Sequence, residues 1–142
     1  MQVKVNQAEK RSWLEIDLEQ IAQNLKTYQG VLSSGAKIMA VIKADAYGHG
    51  DARVARMLND NGIDMFAVSN IDEAVGLRKE GVRGLILILG YTSPIYAQEI
   101  FNYDLTQAIV SEAYAKALSE RGYRVKCQFG VDTGMNRIGL SS

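Results

Sequence analysis

Short apolar runs alternate with amphipathic stretches along most of this chain, and this alternation limits the folds that it can adopt. The apolar runs predict strands over residues 38–42, 65–68, 85–89, 105–110 and 125–131. A helical pattern follows each of the first four runs. Uninterrupted apolar strands separated by helices are typical of a parallel sheet that is covered on both faces.

The N-terminal part predicts one further strand and a helix. Trp13–Asp17 alternates apolar and polar side chains, which indicates a short strand. Asp17 is expected to cap a helix, with Gln20 in the reciprocal position of a capping box. The buried stripe of that helix is predicted, at helical spacing, on Leu18, Ile21, Ala22, Leu25 and Tyr28. Other helix starts and ends are predicted at Asn70, Ser111, Gly62, Gly81 and Gly122.

Five parallel strands fit either an open doubly wound sheet or part of a (β/α)8 barrel, and both folds place working residues at the C-terminal ends of strands. A regular strand-to-strand period of about 20 residues favours the barrel. No G-x-G-x-x-G motif follows the first strand, which argues against a dinucleotide-binding fold. A complete barrel takes about 250 residues. The 142 residues therefore predict one domain, residues 1–142, that is an incomplete (β/α)8 TIM-type barrel.

The segment V-I-K-A-D-A-Y-G-H-G, residues 41–50, carries the first chemical signal. Its Lys43 is expected at the C-terminal end of a strand, against apolar walls that disfavour the ammonium form. A neutral lysine can attack an aldehyde and hold it as a Schiff base. Tyr47 and the glycine-rich backbone could hold a phosphate nearby, so the segment suits pyridoxal 5′-phosphate. The alternative is a solvated lysine without a chemical role.

A second motif, V-D-T-G-M-N-R-I-G at residues 131–139, follows the fifth predicted strand. Its Arg137 could bind a carboxylate or a phenolate through the planar guanidinium, or could simply be solvated. Together the two motifs resemble the alanine racemase family, over a region from about Ser12 to the end of the chain. Residues 90–94 and 105–107 are similar to the serine/alanine racemase subgroup.

The resemblance implies a pyridoxal-phosphate-dependent isomerase that interconverts L- and D-alanine, or L- and D-serine, in D-alanine biosynthesis for the cell wall. It implies that Lys43 carries the cofactor as an internal aldimine and then acts as a catalytic base. Tyr47 would bind the cofactor phosphate, and Arg137 would bind the cofactor's phenolic oxygen and the substrate carboxylate. No metal is implied. His49, Asp45 and Asp132 are expected to support their loops.

Racemisation needs one proton removed from one face of a planar intermediate and another delivered to the opposite face. In the family, the second base is a tyrosine of a C-terminal β domain, supplied across a dimer interface. That domain is not in this sequence, so we expect the parent protein to be a homodimer and this chain to be inactive alone. Gly130 occupies a position where many members carry a carbamylated lysine that helps to orient the arginine.

Composition limits the partners and the compartment. Because 16 basic residues balance 16 acidic ones, no nucleic acid or anionic membrane is expected as a partner. The single Cys127 and the missing apolar span predict a protein of the reducing cytoplasm. Two alternatives to a racemase stay open. One is a pyridoxal-phosphate-binding homeostasis barrel without racemase activity, and the other is a fragment that only folds and associates through open sheet edges.

Overall fold

The structure, a computed structural model that describes residues 12–141, is built on a five-stranded parallel sheet in the order β1-β2-β3-β4-β5. The strands are β1 (Ala40–Val41), β2 (Met65–Val68), β3 (Leu85–Ile88), β4 (Thr106–Ile109) and β5 (Lys126–Phe129). Strands that are consecutive in the chain are neighbours in the sheet, as in a barrel wall. A doubly wound sheet would reverse its strand order at a switch point. The predicted barrel-type arrangement of five parallel strands is therefore confirmed.

Helices connect consecutive strands, and one helix precedes the sheet. They are α1 (Leu18–Val31), α2 (Lys43–Gly48), α3 (Asp51–Asp60), α4 (Ile71–Lys79), α5 (Ala97–Asn102) and α6 (Glu112–Ser119). A short 3-10 turn, Pro94–Tyr96, leads into α5. After β5, the chain forms a small parallel pair from β6 (Val131–Asp132) and β7 (Leu140–Ser141). Among the described residues, no helix is long and apolar enough to span a membrane.

Three helices begin at the predicted caps, because a short polar side chain there accepts a hydrogen bond from a free backbone N–H of the first turn. Asp17 accepts from the backbone N–H of Gln20, at 3.0 Å. Asn70 and Ser111 make the equivalent bonds in α4 and α6. The reciprocal bond of a capping box, from the N–H of Asp17 to the side-chain oxygen of Gln20, is not formed; the Gln20 side chain lies against Asn24 and donates to its side-chain oxygen, at 3.0 Å.

Two predictions for the N-terminal part are wrong. Trp13–Asp17 is not a strand in the structure. A strand needs a hydrogen-bonding neighbour, and no part of residues 12–141 pairs with this segment, so Trp13 and Leu14 are 57% and 71% exposed. Tyr28 is 67% exposed and does not belong to the buried stripe of α1. The stripe packs on the core through Leu18, Ile21 and Leu25.

The core lies mainly between the sheet and its helices. Phe66, Ile86 and Ile88 project to that side and are fully buried with Leu77 and Ile100 from the helices. The opposite face of the sheet carries a smaller cluster of Ala67, Leu87 and Ala108, with Met39 and Leu85 partly buried beside it. Because strand side chains alternate between faces, the two clusters draw on alternate positions of the same strands.

Candidate functional site

Lys43 is the first residue beyond the last ladder bond of β1. Ile42 is buried, and its N–H donates to the carbonyl of Ala67 in β2, at 3.0 Å. The main chain is therefore fixed to the sheet up to the residue before Lys43, which is itself half-buried. This places the lysine at the C-terminal rim of the sheet, the edge at which barrels of this type carry their functional residues.

The helix α2 that begins at Lys43 winds in the left-handed sense. Ala44, Asp45, Ala46 and Tyr47 have φ between 50 and 56° and ψ between 36 and 54°. Each L-residue in this conformation costs roughly 1–2 kcal/mol, so the four together cost about 4–8 kcal/mol. Such strain persists only where surrounding contacts fix the backbone, and it clusters at functional sites.

Asp45 and His49 supply contacts that hold this left-handed turn. The carbonyl of Asp45 accepts from the N–H of Gly50, and its side chain accepts from the N–H of Asp51, both at 3.0 Å. His49 Nδ1 lies 2.9 Å from the carbonyl of Ala46. Because a carbonyl can only accept, that ring nitrogen must carry the proton. Both side chains make the loop-supporting contacts that the sequence predicts.

Glu73 makes a contact with the lysine turn that the sequence did not reveal. One carboxylate oxygen accepts from the N–H of Ala44, at 2.9 Å, and the other accepts from the N–H of Ser69, at 2.7 Å. In the sequence, Glu73 lies three residues after the predicted helix cap Asn70, which is the spacing of a capping box. That spacing was the available signal, but it could not show that the carboxylate also reaches Ala44.

The turn that carries Arg137 lies between β6 and β7. The Asp132 carboxylate accepts from the N–H of Gly134, at 2.9 Å, and of Asn136, at 3.0 Å. These backbone hydrogen bonds, that of Asn136 above all, hold the pKa of Asp132 below its ordinary value. The motif's closing Gly139 has a φ of +141°, and a Cβ there would lie 2.7 Å from the backbone nitrogen of Asp132. Only glycine lets the two arms of the turn approach this closely.

The Asp132 contacts predict a pH dependence of the arginine turn. Because the folded-state pKa is lowered, the ionised carboxylate stabilises the turn above the pKa of an unfolded aspartate, about 3.9. That contribution is lost as the pH falls through the lower folded-state pKa. We expect the amide resonances of Gly134 and Asn136 to move together in an NMR titration over this acidic range, and to be insensitive to that titration in Asp132→Asn. Independent movement of the two resonances would contradict the shared acceptor.

The predicted site residues share one rim of the sheet but are not all in contact. Lys43 and Tyr47 belong to the same left-handed turn, and the Tyr47 side chain is 60% exposed. Arg137 is exposed and follows β5, at the opposite edge of the sheet from β1. The two edge strands are about 19 Å apart along the sheet, since adjacent strands lie about 4.8 Å apart. Only a sheet that curves towards a barrel can bring the two turns to one ligand.

Gly130, where the family resemblance leads one to expect a lysine, is half-buried directly after β5. Its N–H donates to the carbonyl of Ile109, at 2.9 Å, and its carbonyl accepts from Leu140, at 2.7 Å. A Cβ at this position would have ordinary contacts, the nearest being the Ile109 oxygen at 3.6 Å. Space therefore does not require glycine here. Within residues 12–141, no cluster of three or more His, Cys, Asp or Glu side chains could hold a metal ion.

Comparison with known proteins places this geometry in a family. The family model "Alanine racemase, N-terminal domain" matches residues 16–142. The chain is 47% identical over 132 residues to a serine/alanine racemase of Enterococcus gallinarum. This match covers 93% of this chain and 19% of the relative. The chain is 41% identical over 130 residues to alanine racemase 1 of Caldanaerobacter subterraneus subsp. tengcongensis. This match covers 89% of this chain and 34% of the relative.

A solved structure gives the same result. The chain superposes on the alanine racemase of Clostridium difficile 630 in complex with cycloserine with a TM-score of 0.83 and 34% identity. The match covers 87% of this chain and 35% of that one. The chain thus spans between about a fifth and a third of the length of these relatives.

Proposed function

Since the chain belongs to the alanine racemase family, we propose that it is part of a pyridoxal 5′-phosphate-dependent racemase that interconverts L- and D-alanine, or L- and D-serine. Residues 1–142 would form the N-terminal part of its barrel domain. The protein would act in the cytoplasm as a homodimer and provide D-alanine for the cell wall. A homeostasis barrel without racemase activity is not favoured, because the named relatives are racemases.

The strained turn at Lys43 is the observation that best supports this proposal. The side chains present fit the cofactor: a half-buried amine at the sheet rim, an exposed phenol four residues later, and an exposed guanidinium on the turn after β5. When bound, pyridoxal phosphate supplies an aldehyde that condenses with an amine, with loss of water, and a ring that makes the substrate Cα proton acidic. A turn without a chemical role would have little reason to keep four L-residues in a costly conformation.

Each residue has a separate role in this proposal. Lys43 would hold the cofactor through its Nζ, and the same amine would serve as the base that takes or returns the Cα proton on one face. Tyr47 would donate its hydroxyl hydrogen to the phosphate, and Arg137 would bind the phenolic oxygen of the cofactor and the substrate carboxylate. The proton on the opposite face would need a second base from the C-terminal domain of the family. We therefore propose that the 142-residue chain does not racemise amino acids alone.

Covalent capture of the cofactor tests the proposal. The chain is mixed with pyridoxal 5′-phosphate, reduced with borohydride, digested and analysed by mass spectrometry. We expect the pyridoxyl group on the peptide that contains Lys43, at cofactor concentrations too low to modify Lys37, an exposed lysine six residues earlier. Equal modification of Lys43 and Lys37 would mean that the turn does not activate its lysine, and the cofactor assignment would fall.

A further inference from the structure

We propose that Glu73, in the first turn of α4, is a positioning residue that sets the direction and the reactivity of the Lys43 amine. The proposal deepens the function proposed above and rests on it for its biological meaning. Its physical content, that a carboxylate on α4 controls a lysine at the end of β1, can be tested without the cofactor.

Glu73 is held both at its backbone N–H and at its carboxylate. At its base, the N–H of Glu73 donates to the Asn70 side chain, at 3.0 Å, so the residue is held in the first turn of α4. At its tip, the two carboxylate oxygens accept from Ala44 and Ser69, at 2.9 and 2.7 Å. Both are charge-assisted hydrogen bonds; the one from Ser69 is partly shielded from water, and the one from Ala44 is exposed.

The bond to Ala44 acts directly on the lysine backbone. The N–H of Ala44 belongs to the peptide group that joins it to Lys43, and a peptide group is planar. A hydrogen bond that fixes this N–H therefore fixes the orientation of the peptide plane between Lys43 and Ala44. It thereby fixes the ψ angle of Lys43, and with it the backbone from which the lysine side chain extends. Ala44 is also the first left-handed residue of the turn, with φ of 51°. The contact thus lies at the residue where the left-handed backbone conformation begins.

The bond to Ser69 connects the lysine turn to the sheet. Ser69 directly follows β2, the strand that pairs with β1. One carboxylate therefore bridges the ends of two adjacent strands and fixes the lysine turn relative to the rim. A glutamine could not do the same, because its amide offers one oxygen and would present an NH2 group to the other N–H. Either Ala44 or Ser69 would then be left without its acceptor.

Asp72 provides a matched control. Asp72 and Glu73 both lie in the first turn of α4, so both carboxylates interact favourably with the helix dipole. The Asp72 side chain is exposed and, within residues 12–141, makes no hydrogen bond to the lysine turn. Asp72→Asn removes one charge from the same helix end and leaves the bridge intact. Any effect specific to Glu73→Gln therefore reports on the bridge.

The first measurement is competitive acylation of the chain with acetic anhydride over a range of pH, in which the labelling of Lys43 is compared with that of Lys37. We expect Glu73→Gln to move the pH profile of Lys43 labelling and to leave that of Lys37 unchanged. The second measurement is attachment of pyridoxal phosphate, for which we expect Glu73→Gln to raise the half-saturating concentration about 10- to 100-fold, as loss of a charged hydrogen bond implies. Asp72→Asn should match the wild type in both measurements.

The outcomes separate the two proposals. If the wild-type chain does not attach the cofactor at Lys43, the proposed function fails, while acylation still decides the role of Glu73. If Glu73→Gln leaves the Lys43 profile unchanged, the positioning proposal is overturned. If Glu73→Gln does not fold, hydrogen exchange in the wild type decides instead: the proposal requires that the Ala44 and Ser69 amides are protected, and rapid exchange of either overturns it.

Discussion

Replacement of Lys43 with arginine should abolish covalent attachment of pyridoxal 5′-phosphate and leave the fold intact. Arginine keeps the positive charge and the aliphatic stem, but its guanidinium stays protonated and offers no amine nucleophile. Attachment measured by borohydride trapping should fall at least about 100-fold, because the remaining lysines have no activating turn. The free energy of unfolding should change by no more than about 0.5 kcal/mol, since Lys43 is only half-buried and its charge is retained.

Lys37→Arg is the control for that experiment. Lys37 is exposed and lies in the segment that leads into β1, so its replacement also removes one amine from the same part of the chain. We expect this variant to attach the cofactor as the wild type does. If Lys43→Arg and Lys37→Arg lost attachment equally, the cofactor would be binding without regard to the left-handed turn. The assignment of Lys43 would then be wrong.

Features that depend on local chemistry could be predicted from the sequence. Asp17, Asn70 and Ser111 cap helices. A short side chain can accept a hydrogen bond from the amides of the adjacent first turn without any contact from a distant part of the chain. The strands β2 and β3 were also predictable, since a parallel sheet covered on both faces requires continuous apolar runs. The last strand of the sheet, β5, is exposed and alternates polar and apolar residues, although it lies within a predicted strand. The position of Lys43 at a strand end follows from these same runs. The backbone conformation and the hydrogen bonds of the residues around Lys43 could not be predicted in this way.

The handedness of the turn after Lys43 could not be predicted, because local preference opposes it. Alanine favours the right-handed helix more than any other residue, yet Ala44 and Ala46 adopt the left-handed form. The reason is tertiary, since Glu73 holds Ala44 from 29 residues away in sequence. The failed strand at Trp13–Asp17 is the converse case. Its pattern is correct for a strand, but pairing depends on a partner that residues 12–141 do not provide.

A clamp around Arg78 shows a second kind of contact that sequence periodicity cannot reveal. Its guanidinium donates to the carbonyls of Val82, Gly84, Tyr103 and Asp104, at 2.7 to 3.0 Å. These carbonyls belong to the loops that enter β3 and β4, at the end of the sheet opposite the lysine turn. Burial lowers the pKa of Arg78, and the charge of Asp104 opposes that shift. The clamp therefore holds these two loops at a fixed spacing, and a small backbone movement in either loop would break hydrogen bonds of Arg78.

Gly84→Ala should therefore be the most destabilising conservative change in this part of the fold. A Cβ at position 84 would lie 2.1 Å from the backbone oxygen of Asp64, and φ at this residue is +87°. The same oxygen accepts from the N–H of Leu85, at 2.7 Å, so it cannot move away without breaking the start of the β2–β3 pairing. We expect a loss of about 3 kcal/mol or more in the free energy of unfolding, from overpacking and backbone strain together.

Gly81→Ala separates the two causes of that loss. Gly81 has nearly the same backbone conformation, with φ of +80°, but no heavy atom lies within 4 Å of the Cβ that alanine would add. It should cost only the strain of a left-handed L-residue, about 1 kcal/mol. Urea denaturation of both variants, with unchanged m-values, measures the difference. Equal losses would show that strain alone acts at position 84 and that the Asp64 backbone yields to the added methyl group.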